Sequence, residues 1–358
     1  MSAAADRDSL YSLGMTNPRK LLGAVTVCTF AMFGASQGVR APTDPRSVGS
    51  PLGVGSSSSQ VAPTPKPAAS STVPSWAEVL EHDPDPKVVT ASDLLKRIKE
   101  SGKAWKVRDK KSGIEMVLVP AGEFRMGMSD DDTQATSAEL PSHNVIISKA
   151  FYMGRFEVTQ EQWVKLMGEN PSRFKTVSPR EAAIKAAMAS GKSIEQATAA
   201  ASSVSTEMVS LPVEKVSWKD CKKFCDKGFF KLPTEAQWEY ACRAGTSESR
   251  YDSNVEKIAW LGSNSEGKTH PVGEKLPNAL GLHDMLGNVW EWCADNYAPY
   301  AESASTDPKG PAADGLHVQR GGSWGSNDPK YCRASCRAQA SSEAAAHHNL
   351  GFRVVKMP

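Results

Sequence analysis

The sequence predicts an α+β domain of short strands, a few short helices and a large share of irregular backbone. Three observations carry this reading. The run Gly281-Leu282-His283-Asp284-Met285-Leu286-Gly287-Asn288-Val289-Trp290-Glu291-Trp292 packs turn-forming glycines, core-filling tryptophans and two carboxylates into one stretch that no ordinary helix or strand requires. Gly 27 and Pro 23 imply many turns, while 40% hydrophobic residues and 9 Trp suffice for a core. From Gly245 to the end, hardly any helix-length periodicity is present.

At the N-terminus, Arg19-Lys20 precede the apolar stretch 21–35, and small residues follow at Gly34 and Ser36. This order reads as an export signal or N-terminal anchor over 1–38, since the apolar run is shorter than the roughly 20 residues that span a bilayer. Residues 39–75 are rich in Ser, Pro, Gly, Thr and Ala and read as a disordered linker. Residues 76–104 form a short lead-in with one helix, N-capped by Ser92, burying Leu94, Leu95 and Ile98 and ending at Gly102.

The compact domain is expected over 105–358. A hairpin turns at Lys110-Lys111-Ser112-Gly113, followed by strands ending near Gly127, at Val145–Ile147 and at Phe151–Phe156. Thr159 and Gln162 form a capping box for a helix that buries Trp163, Leu166 and Met167. Segment 176–210 is rich in Ala, Ser, Lys and Glu and lacks aromatics, which predicts an inserted helical or disordered piece. Ser217 caps a helix carrying Trp218, Cys221, Phe224 and Cys225. Thr234 and Gln237 cap another that Gly245 ends.

Charge is nearly balanced, 42 basic against 40 acidic residues, so nucleic acid is not an expected partner. No Ser-His-Asp spacing, phosphate loop or zinc-protease motif is present. His347-His348 reads as solvated surface, and Glu235 with Glu239 as part of a packed helix rather than an acid–base pair.

Glu157-Val158-Thr159, Asn170-Pro171-Ser172, Leu232 to Tyr240, Gly281 to Trp292, Arg320-Gly321-Gly322-Ser323-Trp324 and Gly351-Phe352-Arg353 fall in one order. Together they strongly resemble the formylglycine-generating enzyme family, also called the sulfatase-modifying factor domain, over roughly residues 112–358. The resemblance implies an irregular fold related to C-type lectins, with small antiparallel sheets, a few helices and much loop. It also implies oxidation of a sulfatase cysteine to formylglycine with oxygen and a copper held by two cysteines. The first of these falls two residues after the Gly-Gly-Ser-aromatic motif, and there this chain has Ser326; the second matches Cys332, with one residue inserted. Ser323 matches a serine lining the family's active site. A hydroxyl cannot replace a thiolate toward Cu(I), so copper is not an expected cofactor and oxidase activity is not expected.

The resemblance also places a structural calcium on Asp284, Gly287, Val289 and Glu291, two of which supply hard carboxylate oxygens. The alternative is that Asp284 caps a turn and Glu291 pairs with an arginine such as Arg353. By resemblance, Cys242 pairs with a cysteine near Cys336. Cys221, Cys225, Cys332 and Cys336 as a zinc site remain the alternative to disulfides and buried thiols. The expected function is an exported accessory module that binds a peptide or protein in the family's substrate groove. The alternatives are an active formylglycine-generating enzyme and a structural envelope protein.

Overall fold

A computed structural model describes residues 73–175, 179–202, 210–312, 315–342 and 347–358. The expected signal, most of the linker and parts of the insertion lie outside these residues. Three small sheets organise the domain. The largest is antiparallel throughout, in the order β1 (Ala77–Glu81), β2 (Lys106–Asp109), β3 (Glu115–Val119), β6 (Phe151–Gly154), β12 (Val355–Lys356). A second sheet joins β4 (Gly122–Met126) to β5 (His143–Ile147) and, in parallel, to β8 (Ser305–Thr306). The third runs β10 (Arg337–Ser341), β9 (Leu316–Arg320), β7 (Trp290–Asn296), β11 (Leu350–Gly351), with β11 parallel to β7.

Upstream of Trp105 the lead-in belongs to the body of the domain. Strand β1 pairs with β2, and α1 (Ser92–Glu100) buries Leu94 and Ile98 in the common core. Ala91, not Ser92, occupies the N-cap, and no side chain caps that end.

Capping chemistry fixes the other helices. The Thr159 hydroxyl accepts from the Gln162 N–H, and the Gln162 side chain accepts from the Thr159 N–H, starting α2 (Gln160–Met167). Ser217 starts α5 (Trp218–Gly228), and the Thr234–Gln237 box starts α6 (Glu235–Arg243). Ala244, one residue before the expected Gly245, takes the left-handed C-cap. The insertion holds two helices packed on each other, α3 (Pro179–Ala189) and α4 (Ile194–Ala200). Beyond α6, the described residues form the four-residue α7 (Val255–Ile258), a 3-10 turn at Pro329–Tyr331, short strands and loops.

Aromatic rings lock α2 and α5 to the C-terminal segment. Trp163 stacks on Phe224 with centroids 5.4 Å apart, and the Phe352 edge meets both rings. Trp238 and Trp292, from the signature segments, are wholly buried. Among the described residues, no helix is long and apolar enough to cross a membrane.

Candidate functional site

Two glycines at the end of β9 build the first half of the site. Gly321 and Gly322 both have positive φ, 99° and 79°. A Cβ on Gly321 would lie 2.9 Å from the Met285 carbonyl oxygen, and one on Gly322 would lie 2.7 Å from Cys332 Sγ. Only glycine suits either position. This turn delivers Ser323 into a wholly buried position. The Ser326 hydroxyl accepts from the Ser323 N–H at 3.0 Å, and the Ser326 N–H donates to the Ser323 carbonyl at 2.9 Å. Ser323 Oγ accepts from the Gly325 N–H and from Asn349 Nδ2, each at 3.3 Å. Ser326 is therefore the closing hydroxyl of a tight turn.

Cys332 follows a short turn capped by Asp328. Arg250 Nε donates to its carbonyl at 2.8 Å, and its thiol is wholly buried. Burial, aided by the charge of Cys336 and opposed by the Arg250 guanidinium, pushes that thiol up to about 12. Burial also lifts Cys242 to about 12 and Cys336 to about 11.

All six described cysteines are free and buried, so the Cys242 bridge implied by resemblance is not formed. The zinc alternative is not assembled either. Among the described residues, no three His, Cys, Asp or Glu side chains are grouped to hold a metal.

Aromatic groups rim the serine turn. Trp324, Phe174 and His348 meet pairwise at 5.2 to 5.9 Å, and Trp324 Nε1 donates to the His348 carbonyl. Beneath them Glu214 is buried and accepts from the Phe174 N–H at 2.8 Å. Burial, only partly opposed by that N–H, pushes its carboxyl up to about 7. Two cavities lie elsewhere: one of about 300 Å³ between α1, β4 and the end of α6, the other of about 260 Å³ beside the end of α2.

The second half of the site is charged. Glu291 accepts from Arg353 Nε and Nη2 at 2.7 to 2.9 Å and from Trp238 Nε1 at 2.8 Å. Asp284, at a left-handed turn with φ 53°, accepts from the Gly273 N–H through Oδ2, while Oδ1 is buried with no hydrogen-bond partner. Gly287 has φ 84°, and a Cβ there would lie 2.4 Å from the Trp260 carbonyl oxygen. The Val289 N–H and Asn288 Nδ2 donate to Glu157 at 3.0 and 2.7 Å. Burial lifts Asp284 to about 6 and Glu157 well above its ordinary range, the latter further raised by Asp284 and Glu291. The same cluster holds His283 neutral, pushed down to about 4 by burial.

Three buried carboxylates thus face one guanidinium, a formal excess of two negative charges. Of the two sequence readings, the Glu291–Arg353 pair is present. Of the other predicted residues, Asp284 keeps one carboxylate oxygen uncommitted, Gly287 lies against Trp260, and the Val289 N–H is spent on Glu157.

Sequence reasoning names Glu157 only within a family signature and assigns it no place in the charged cluster. A charged residue between Phe156 and the buried Val158 was the available signal. It also read Glu235 and Glu239 as packing. They are buried ion pairs: Glu239 joins Arg320 and Arg243, and Glu235 joins Arg337. Nearby, burial and the Glu235 charge lift Asp295 to about 7.

Small sheets, short helices and extensive loops of this kind define a C-type-lectin-like fold. Solved structures agree. Treponema denticola variable protein 1 matches with TM-score 0.54 and 30% identity, over 68% of this chain and 95% of that one. PvdO from Pseudomonas aeruginosa matches with TM-score 0.52 and 28% identity, over 71% and 98%. Residues 103–358 match the sulfatase-modifying factor enzyme 1-like domain, and the chain belongs to that family. The formylglycine-generating enzyme of Streptomyces coelicolor is 31% identical over 278 residues, covering 66% of this chain and 87% of that protein. The bovine enzyme (Bos taurus) is 30% identical, covering 67% and 74%. A serine/threonine-protein kinase pkn1 of Chlamydia pneumoniae is 31% identical over 250 residues, which are 68% of this chain and 38% of that protein.

Proposed function

We propose that this chain is an exported member of the family without copper-dependent oxidase activity, acting as a peptide- or protein-binding accessory module. One observation carries the reading. Where the family's first copper thiolate is expected, Ser326 presents a hydroxyl already used to close its own turn. The residues present do not fit copper. The remaining sulfur, Cys332, is held protonated by burial, and Cu(I) requires soft, deprotonated thiolates. The aromatic rim of Trp324, Phe174 and His348 beside this turn offers a surface for an extended peptide. The relatives' names support a domain put to several uses, since it occurs in a protein kinase as well as in formylglycine-generating enzymes.

Calcium is proposed as a structural ion at the acidic cluster. Asp284 Oδ1 is the uncommitted buried oxygen, and a divalent cation would cancel the charge excess around Arg353. Asp284 and the backbone oxygens of Gly287 and Val289 would hold it, with Glu291 kept by Arg353. Export rests on Arg19-Lys20 and the apolar stretch 21–35, which also allow a membrane tether. The competing reading, an active formylglycine-generating enzyme, is favoured by identity near 30% to two enzymes of that name. Oxygen consumption and mass analysis with a Cys-x-Pro-x-Arg peptide separate the two. No aldehyde forms on the accessory-module reading, and aldehyde formation at enzyme-like turnover defeats it.

A further inference from the structure

Phe229 is 76% exposed and caps α5 in the left-handed conformation, φ 56°. That conformation is strained for a residue with a β-carbon, and a ring this exposed regains little by burial. Five exposed lysines lie on the segments that meet near the ring. The Lys111 ammonium lies 5.3 Å from the ring centroid and donates to the Lys227 carbonyl. Lys227 reaches the Leu166 carbonyl at 3.3 Å, next to Lys165, whose ammonium lies beside Gly113 in the same turn as Lys110 and Lys111. Lys231 follows two residues after Phe229. Neighbouring lysines are neutralised, Lys222 by Asp226, Lys223 by Asp220 and Lys356 by Asp109. Lys110, Lys111, Lys165, Lys227 and Lys231 have no carboxylate partner among the described residues. The upstream chain enters at this face: Lys110 donates its backbone N–H to the Trp76 carbonyl and its ammonium to the Ser75 carbonyl.

We propose that this face docks on an anionic phospholipid bilayer, with Phe229 entering the headgroup region and the lysines meeting lipid phosphates. Each basic group near an anionic surface adds roughly 1 kcal/mol, and a protruding ring gains from a bilayer what a soluble polyanion cannot give it. The side on which the linker enters is then the side that faces the membrane. This proposal is independent of what the serine-turn groove binds.

Hydrogen exchange on the full chain tests it, with vesicles of phosphatidylcholine alone or with phosphatidylglycerol added. Slowed exchange is expected at Lys110–Gly113 and Lys227–Lys231 on the anionic vesicles only, and should weaken at about 1 M salt. In Lys111→Gln/Lys227→Gln that protection should be lost, with the phosphatidylglycerol-dependent part of vesicle binding falling roughly 30-fold. Phe229→Gly should weaken protection while leaving the melting temperature equal or higher, the reverse of what a structural role for the ring would give. Equal protection on both vesicle types, none at these segments, or retention on a polyanion column without vesicle protection overturns the proposal.

Discussion

Two buried turns lie on the same scaffold and differ in kind. Around Glu291 the site is crowded with charge: three carboxylates, one guanidinium and a single unpartnered oxygen. The turn at Ser326 is itself neutral: two hydroxyls close it beside a protonated thiol. Positive-φ glycines position both, Gly287 in one and Gly321-Gly322 in the other. The charged turn ties β7 to the C-terminal segment through Arg353, so the fold depends on it. The neutral turn satisfies its own hydrogen bonds, so its chemistry can change without loss of the fold.

That contrast breaks hardest at Arg353. Arg353→Met leaves Glu157, Asp284 and Glu291 without a counter-charge and should cost about 3–5 kcal/mol in urea unfolding. In the neutral turn, Gly322→Ala should cost about 2 kcal/mol, from left-handed strain and the close approach of Cys332 Sγ.

Acidity distinguishes the two turns more finely. The folded value of Asp284 is raised to about 6. Its contribution is therefore present at low pH and lost as pH rises from the ordinary carboxylate range through about 6. Without calcium, the parent should lose on the order of 2 kcal/mol relative to Asp284→Asn across that window, because His283, whose lowered value acts in the opposite direction, is common to both. Asp284→Asn should flatten the slope, and added calcium should remove it from the parent protein; a parent slope unchanged by calcium would count against the ion. The smallest effect is expected at Cys332. Cys332→Ala should cost about 1–2 kcal/mol and leave the pH dependence unchanged, and a thiol reagent should modify no buried cysteine until the chain unfolds.

Local signals in the sequence were legible because their partners are three residues away. The Thr159–Gln162 and Thr234–Gln237 boxes and the Ser217 cap stand where the residues place them. Caps without a side-chain bond drifted by one position, as at Ala91 and Ala244. Strand β1 was missed because its partner β2 begins at Lys106, beyond a helix, and no turn signal joins them. Likewise, the bond from the Val289 N–H to Glu157 spans 132 residues, and no periodicity reports such a distance. The family resemblance singled out Ser326, but its role as a turn-closing acceptor is visible only with the backbone folded around it.

The account rests on a hydroxyl standing where copper requires sulfur. An anaerobic Cu(I) competition titration of the parent beside Ser326→Cys tests it most directly. The parent should yield all its copper to a chelator, while the variant should retain measurably more. Stoichiometric, tight Cu(I) binding by the parent, with conversion of a sulfatase-type cysteine peptide to its aldehyde, would contradict the account.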